Sequence, residues 1–378
     1  MPSPAPPLAP TALPGDTPGR AQEPATHRGT DRLLLIGSIP YDTAEQVFDC
    51  FGARLGPYLP AMPDGETGPR RHWISRIHYQ VFAGHPDFEI LRRPAPENGV
   101  ERQNPRNASD SWLFRVRPGI ESVRFGDPGW RLGYARDAIQ SYFVFKTLRA
   151  AGRLAPHLRF QVSLASVSSI LAPRVFPEPG DVERIRPGLT EALAAEVASL
   201  LAHIPHRDLA IQWDCATEVQ DASGAIPGQD PASVLERHLG QVRSLCPSIP
   251  VEVALGFHFC FGTLGGWPRF TPADLGGTVR LANAFVDAAG RRVDWIHLPA
   301  LAREDSAFYA PLADLAPRGA RVYLGMIHHM ESFARRLAVA RRILPEFGLA
   351  AYCGLGRSPA AELPGVLADH LAALGAAD

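Results

Sequence analysis

A histidine and a cysteine two positions apart, His258 and Cys260, are the residues best suited to chemistry. Side chains at this spacing point to the same side of an extended segment. Imidazole nitrogen and thiolate sulfur are preferred zinc ligands, and a catalytic zinc keeps one coordination position open. Alone, the pair is weak evidence, because buried cysteines are common. Cys353, just before a glycine-rich turn, is equally suited to be a third ligand or a small core residue.

The segments that would position these residues alternate between two patterns. Apolar or β-branched runs alternate with segments of helical periodicity in the second half of the chain, which favours a parallel sheet covered by helices. Eight such runs predict an α/β fold, a single (β/α)8 TIM barrel. The runs lie near 32–37, 59–63, 158–164, 208–213, 250–257, 293–298, 320–327 and 349–352.

Polar residues follow these predicted strands, at the end of the barrel where the active site of this fold lies. They are Ser38, Glu66, Ser166, Asp214, His258 with Cys260, His297, His328 and Cys353. Potential metal ligands and titratable groups would therefore meet at one mouth.

The chain divides into two predicted regions. Residues 1–30 are rich in Pro and Ala without apolar periodicity, so we expect a disordered tail. Residues 31–378 form the barrel domain. The stretch 67–130, with many Pro, Gly and Arg residues, predicts long loops over the carboxyl-terminal mouth.

Composition limits the partners and the compartment. The formal net charge is −1, which gives no indication of nucleic-acid or membrane binding. No apolar run approaches the length of a membrane span. Five cysteines in a long chain do not suggest a disulfide framework. We therefore expect a cytoplasmic enzyme with free or metal-bound cysteines and small-molecule substrates.

Six segments together resemble the catalytic domain of cobalamin-independent methionine synthase, within a superfamily that also includes uroporphyrinogen decarboxylase. They follow the family order, from the first predicted strand onward. The segments are Ile36-Gly37-Ser38-Ile39-Pro40, Asp64-Gly65-Glu66 with Arg70, Ile211-Gln212-Trp213-Asp214, His258-Phe259-Cys260, Gly325-Met326-Ile327-His328 and Cys353-Gly354-Leu355-Gly356-Arg357.

The resemblance implies a Zn²⁺ cofactor held by His258, Cys260 and Cys353. The family's fourth ligand is a carboxylate after an I-T-I-E strand, but this chain has Asp294-Trp295-Ile296-His297 there. The resemblance therefore makes His297 the expected fourth ligand, with Glu304 or solvent as alternatives. A plain hydrogen-bonding role for His297 is equally open.

The resemblance also implies an amino-acid thiol as substrate. Ser38 would bind its carboxylate, and Glu66 and Asp214 its ammonium group. His328 would be the general acid, with Asp214 also in the catalytic set. The structural alternatives are a helix cap for Asp214, a salt bridge from Glu66 to Arg70 or Arg71, and a polar strand end for His328.

The function implied is zinc-dependent transfer of a methyl or other alkyl group to a small thiol such as homocysteine. The family's folate-stacking tryptophan is absent from 162–168, so the donor is either a small alkylating molecule or a corrinoid on a carrier protein. Thiol addition to an epoxide or other electrophile, a metal-free decarboxylase using Arg92–Arg117, and a silent zinc-holding protein are the alternatives. A homo-oligomer is also open.

Overall fold

The structure, a computed structural model, describes residues 31–126, 131–224 and 230–377, so the predicted tail lies outside the described residues. The strands of its main sheet come from short runs that bury almost every side chain, whereas the strands Phe88–Arg92 and Leu113–Val116 are only partly buried. In chain order they are β1 (Leu33–Leu34), β2 (Ala61–Pro63), β3 (Phe88–Arg92), β4 (Leu113–Val116), β5 (Arg159–Ala165), β6 (Leu209–Cys215), β7 (Ala254–Phe259), β8 (Trp295–Pro299), β9 (Arg321–Gly325) and β10 (Gly348–Ala350).

Eight of these strands form one parallel sheet in the order β1-β10-β9-β8-β7-β6-β5-β2. Its two edges approach each other, because the Arg32 amide donates to the Tyr58 carbonyl at 3.0 Å and the Ile39 amide to the Gly65 carbonyl at 2.7 Å. The sheet is thus a nearly closed barrel with helices between its strands. The predicted TIM barrel and its eight strand positions are confirmed.

Helices of very different lengths connect the strands. Asp230 caps one of them, accepting a hydrogen bond from the Ser233 amide, with Pro231 in the first turn. The helices are α1 (Ala44–Val47), α2 (Ala53–Leu55), α3 (Trp73–Gln80), α4 (Tyr134–Ala150), α5 (Val167–Ile170), α6 (Pro179–His203), α7 (Thr217–Ser223), α8 (Pro231–Leu245), α9 (Gly276–Ala288), α10 (Ser306–Tyr309), α11 (Met330–Ile343) and α12 (Leu363–Ala377). Among the described residues, no helix is long and apolar enough to cross a bilayer.

The segment 67–130 differs from the expectation of long loops. It contains α3 and an antiparallel ribbon of β3 and β4, in which Phe88 is opposite Val116. The ribbon is fixed to the barrel wall: the Phe114 amide donates to the Val175 carbonyl at 2.9 Å, and the Val116 amide to Asp181 Oδ2 at 3.0 Å. The α3 end of the segment contributes to the mouth.

The barrel interior is apolar toward the amino-terminal ends of the strands and polar toward their carboxyl-terminal ends. A small cluster that includes Leu34, Ala210 and Trp295 fills the lower part. Trp295 packs where Gly256 has no side chain, since a Cβ there would lie 2.0 Å from the indole. Above it, Gln212 accepts from the indole N–H at 3.2 Å. The carboxyl-terminal mouth therefore begins on a polar floor.

Candidate metal and substrate site

Three potential metal ligands meet at the carboxyl-terminal mouth. His258 lies in β7, Cys260 directly follows that strand, and Cys353 follows β10. One ligand atom from each lies within 4.8 Å of the others. The two Sγ atoms are 3.1 Å apart, and Cys353 Sγ is 3.6 Å from His258 Nε2. The barrel thus joins residues almost a hundred positions apart in the chain.

The donor set fits zinc chemically and nearly fits it in geometry. Tetrahedral zinc with ordinary bond lengths places a thiolate sulfur and an imidazole nitrogen about 3.6 Å apart, and two sulfurs about 3.8 Å apart. The Cys353–His258 distance of 3.6 Å agrees with that value. The sulfurs are closer because Cys260 donates its S–H to Cys353 at 3.1 Å. Losing that proton and separating by less than about 1 Å would complete the geometry.

A hydrogen-bond chain behind His258 fixes which nitrogen faces the cysteines. His297 Nε2 lies 3.1 Å from the Ala351 carbonyl, which only accepts, so this nitrogen carries the proton. Burial lowers the pKa of His297 to about 3, so the ring is neutral and its Nδ1 is an acceptor. His258 Nδ1 lies 2.8 Å from it and must donate. This assignment of the protons, with the His297 ring also close to the Phe259 backbone, leaves the lone pair of His258 Nε2 free for a metal.

The structure does not place His297 or Glu304 as the fourth ligand. His297 is behind His258, with both ring nitrogens engaged, in the position of a residue that orients a metal ligand. Glu304 pairs with Arg335 at 2.7 Å on the surface. In the structure His297 supports His258, because register places it beside that residue rather than above it. Its role as a zinc ligand stays a prediction from the sequence.

The three ligands line a cavity of about 100 Å³ that Ser38 and Asp214 also line. One wall is the loop after β10, which packs tightly against the loop after β1. The Leu355 amide donates to the Ser38 carbonyl at 2.7 Å. A Cβ on Gly356 would lie 2.2 Å from the Arg71 carbonyl oxygen, so only glycine permits this approach.

Glu66 lies behind Ser38 and lacks a cation. It accepts a hydrogen bond from Ser38 Oγ at 2.5 Å, while its buried Oε1 has no partner among the described residues. Arg70 pairs with Asp64 at 2.7 Å instead. Burial raises the pKa of Glu66 to about 8. The Glu66–Arg70 salt bridge considered from the sequence is not formed.

Asp214 faces the cavity and does not cap the next helix. Its Oδ1 accepts from Gln212 Nε2 at 2.8 Å, whereas the amides of Ala216 and Thr217 at the start of α7 donate to Ser169 Oγ. Burial, with a contribution from the charge of Glu66, raises the Asp214 pKa well above its usual value. Asp214 therefore tends to hold a proton at the cavity wall.

His328 lies to one side, among the rings of Trp267 and Tyr352. Its Nε2 is 2.8 Å from the Ala300 carbonyl, and its Nδ1 is buried without a partner among the described residues. Burial and then Arg336 lower the pKa of His328 to about 4. The neutral ring thus directs its proton away from the cavity, unlike the expected general acid.

Sequence reasoning missed the basic wall of this cavity. Four arginines line it: Arg71, Arg174, Arg269 and Arg357. Only Arg357 was indicated by the sequence, as the last residue of the Cys353–Arg357 segment that resembles the methionine synthase family. The Arg92–Arg117 stretch does not contribute to it; for example, Arg102 pairs with Asp110 at 3.3 Å on the ribbon loop.

Two solved structures share this architecture. A B12-independent methionine synthase from Shewanella sp. W3-18-1, in complex with selenomethionine, aligns over 92% of this chain and 96% of its own with a TM-score of 0.55 and 14% identity. A protein from Listeria monocytogenes assigned to the vitamin-B12-independent methionine synthases aligns over 88% and 86%, with a TM-score of 0.50 and 13% identity. This chain has the fold of a B12-independent methionine synthase.

No protein-family sequence model matches the chain, and no curated protein sequence matches it. The likeness to methionine synthase is therefore one of fold. Within that fold, the His258, Cys260 and Cys353 side chains form a potential metal site at the active-site end of the barrel.

Proposed function

We propose that the protein transfers a methyl or other alkyl group to a small thiol such as homocysteine, with Zn²⁺ held by His258, Cys260 and Cys353. The observation that carries the proposal is the meeting of these three ligand atoms within 4.8 Å on the wall of a cavity. The methionine synthase fold of the structural neighbours supports methyl transfer as the reaction class.

Side chains on the cavity wall and directly behind it have distinct tasks in this scheme. The zinc, when bound, supplies the positive charge that keeps a coordinated thiol in its nucleophilic thiolate form at neutral pH. His297 fixes the ring of His258 through the 2.8 Å hydrogen bond between them. Ser38 would bind the carboxylate of the thiol. Glu66 and Asp214 would bind its ammonium group, and its positive charge would favour the ionised form of both carboxyls.

Transfer forms a sulfur–carbon bond and breaks the bond between that carbon and the leaving group, which takes both electrons. The leaving group then needs a proton. For a thiol without an ammonium group, Asp214 is the candidate donor, because it lines the cavity and burial raises its pKa well above its usual value. His328 would supply it only after turning its proton away from the Ala300 carbonyl.

Thiol addition to an epoxide is the second candidate. The observation that favours it is the buried Asp214 on the cavity wall, whose pKa burial raises well above its usual value. Ring opening leaves an alkoxide on the same molecule, which needs a proton at once. A metal-free decarboxylase gives no role to the two cysteines that face His258.

Metal analysis tests the common element of both candidates. The wild-type protein should contain about one zinc ion per chain by mass spectrometry, and a Cys260→Ala/Cys353→Ala variant should contain almost none. Cys246→Ala is the matched control, because this cysteine is buried outside the cluster. Equally low zinc in the wild type and the double variant would rule out the proposal.

The acceptor is tested by comparing thiols. Homocysteine and 4-mercaptobutanoate differ only in the amino group, so a preference for homocysteine supports ammonium binding at Glu66 and Asp214. Using iodomethane and propylene oxide as electrophiles, with product mass as the readout, separates methyl transfer from epoxide opening. No thioether above the uncatalysed rate with either electrophile would count against alkylation of a thiol.

A further inference from the structure

Three arginines from distant parts of the chain converge on one wall of the cavity. Arg174 follows α5, Arg269 lies in the loop after β7, and Arg357 lies in the loop after β10. They are close enough to affect one another. Burial is the main cause that lowers the pKa of Arg174 to about 10, and the charges of Arg269 and Arg357 lower it further. Three like charges on one wall cost free energy unless something offsets them.

Within the described part of the chain, none of the three forms an ion pair with a carboxylate within 4 Å, although the charge of Asp221 acts favourably on Arg269 from a longer distance. Arg269 donates to the side-chain oxygen of Gln220, and Arg357 Nη1 to Thr263 Oγ1 at 2.5 Å. The Nε of Arg174 is buried and has no hydrogen-bond partner among the described residues. A buried donor left unpaired is costly and rare, which points to a missing partner.

The two cysteines offset only part of the positive charge of the three arginines. The Cys260 and Cys353 sulfurs act favourably on both Arg269 and Arg357. Arg174 has no such interaction: the charges that act on its pKa are those of the two other arginines, and Asp221, which lines the same outer cavity, forms no ion pair with it. Two thiolates would also be balanced by a zinc ion between them. Arg174 is therefore the residue that requires a further anion.

A second cavity borders the same wall. It has a volume of about 560 Å³, and Arg174, Thr217 and Arg269 line both it and the cavity that Cys260 lines. Two of the three arginines therefore lie between the two cavities.

We propose that Arg174, Arg269 and Arg357 form a subsite for the oxyanion of the thiol substrate, a carboxylate, sulfonate or phosphate group remote from its sulfur, in place of carboxylate binding at Ser38. The inference rests on the proposed function for the identity of the reacting end, and it adds the chemical class of the other end. Planar guanidinium groups bind such oxyanions through paired hydrogen bonds.

The test uses the full chain with Co²⁺ in place of zinc, because thiolate binding to cobalt changes its absorption spectrum. The probes are 2-mercaptoethanesulfonate and the neutral 2-mercaptoethanol. We expect the anionic thiol to bind at least about tenfold more tightly to the wild type, and Arg174→Gln to remove about tenfold of that preference. Arg243→Gln, an exposed arginine paired with Glu236, is the control and should change nothing.

Calorimetry with inorganic phosphate separates failure of the subsite from failure of the proposed function. If neither thiol alters the cobalt spectrum but phosphate binds the wild type and not Arg174→Gln, the subsite stands and thiol alkylation fails. If both thiols bind cobalt equally and phosphate does not bind, the subsite is overturned.

Thermal unfolding without anions distinguishes a binding role from a structural one. Removing an unpaired, desolvated charge should leave the melting temperature of Arg174→Gln equal to the wild-type value or higher. A clear fall, together with an unchanged preference for the anionic thiol, would make Arg174 structural and contradict the inference.

Discussion

His297 shows how one side chain can support a metal site without touching the metal. It accepts the Nδ1 proton of His258 at 2.8 Å and donates to the Ala351 carbonyl at 3.1 Å. Residues in such outer positions fix the tautomer and direction of the ligand ring. Sequence similarity assigns a zinc ligand to position 297, whereas in the structure His297 lies behind the potential ligand His258 and orients it.

Replacing His297 by Phe should weaken zinc binding about 10- to 100-fold without abolishing it, because the His258 ring loses its fixed tautomer but keeps its nitrogen. Competition with a chelator of known affinity gives the measurement. His370→Phe, at a buried histidine in α12, is the control. Zinc loss as complete as in His258→Ala would instead identify His297 as a direct ligand.

The raised pKa of Glu66 predicts that the stability of the protein falls as pH rises. Its pKa rises from 4.5 in the unfolded chain to about 8 in the folded protein, chiefly through burial. Between these values the folded state holds a proton that the unfolded state has lost, so stability falls as pH rises through this window. Glu66→Gln removes the titration and should be more stable than the wild type above pH 8, on the order of 2–4 kcal/mol.

Urea unfolding of both proteins at pH 5 and at pH 8.5 measures this effect. The two proteins should be similar at pH 5, where Glu66 is protonated when folded, and should diverge at the higher pH. A constant difference in the free energy of unfolding across that range would mean that Glu66 does not titrate there.

At the scale of elements, the shape of the mouth depends on the close contact of the loop after β10 with the loop after β1, which Gly356 permits. A Cβ on Gly356 would lie 2.2 Å from the Arg71 carbonyl oxygen and 2.9 Å from Ser38 Cβ. Gly356→Ala should force the loop after β10 away from the loop after β1, costing about 1–3 kcal/mol of stability and weakening substrate binding at Ser38.

Gly365→Ala is the matched control, because a Cβ there meets nothing within 4 Å and the residue lies in α12. It should be neutral, or stabilising by up to about 1 kcal/mol, since alanine favours a helix. Unfolding midpoints in urea and thiol affinity are the two measurements. Equal effects of the two substitutions would remove any special role of the loop contact.

The elements differ in how far the sequence predicts them. The eight barrel strands are short buried runs that require no knowledge of their partners, so the apolar pattern alone predicts them. The ribbon of β3 and β4 is not predictable in this way. Its backbone groups bond to Val175 and Asp181, about 60 residues away, and tertiary contacts of this kind are invisible in local composition.

The same distinction holds within the site. His258, Cys260 and Cys353 were predicted together because they follow strands whose ends meet at one mouth. Arg174 and Arg269 lie in loops, where direction depends on packing and no pattern separates them from the many surface arginines. The pairing register of β7 and β8, which places His297 opposite His258, could not be predicted from the sequence and is known only from the structure.

At the scale of the whole molecule, the cluster ties together two parts of the barrel wall. It joins β7 to the loop after β10, and β8 and β9 lie between these strands in the sheet. β10 is short and pairs with only two residues of β1, next to the edge where the barrel closes. A metal at the cluster would therefore act as a clamp between β7 and the loop after β10, across the two strands between them.

This clamp predicts that zinc raises the melting temperature of the protein. A ligand that binds only the folded state, at a free concentration of about 1,000 times its Kd, stabilises by roughly 4 kcal/mol. For a chain of 378 residues that corresponds to about 5 °C, measured by calorimetry before and after chelation.

The Cys260→Ala/Cys353→Ala variant isolates the clamp from zinc bound elsewhere. It should melt at the same temperature with and without zinc, whereas Cys246→Ala should keep the full shift. An equal rise in the double variant would place the stabilising metal at another site, and the link between β7 and β10 would then have to come from packing alone. Because unfolding must separate these strands, the size of the shift reports how much of the closure depends on the cluster.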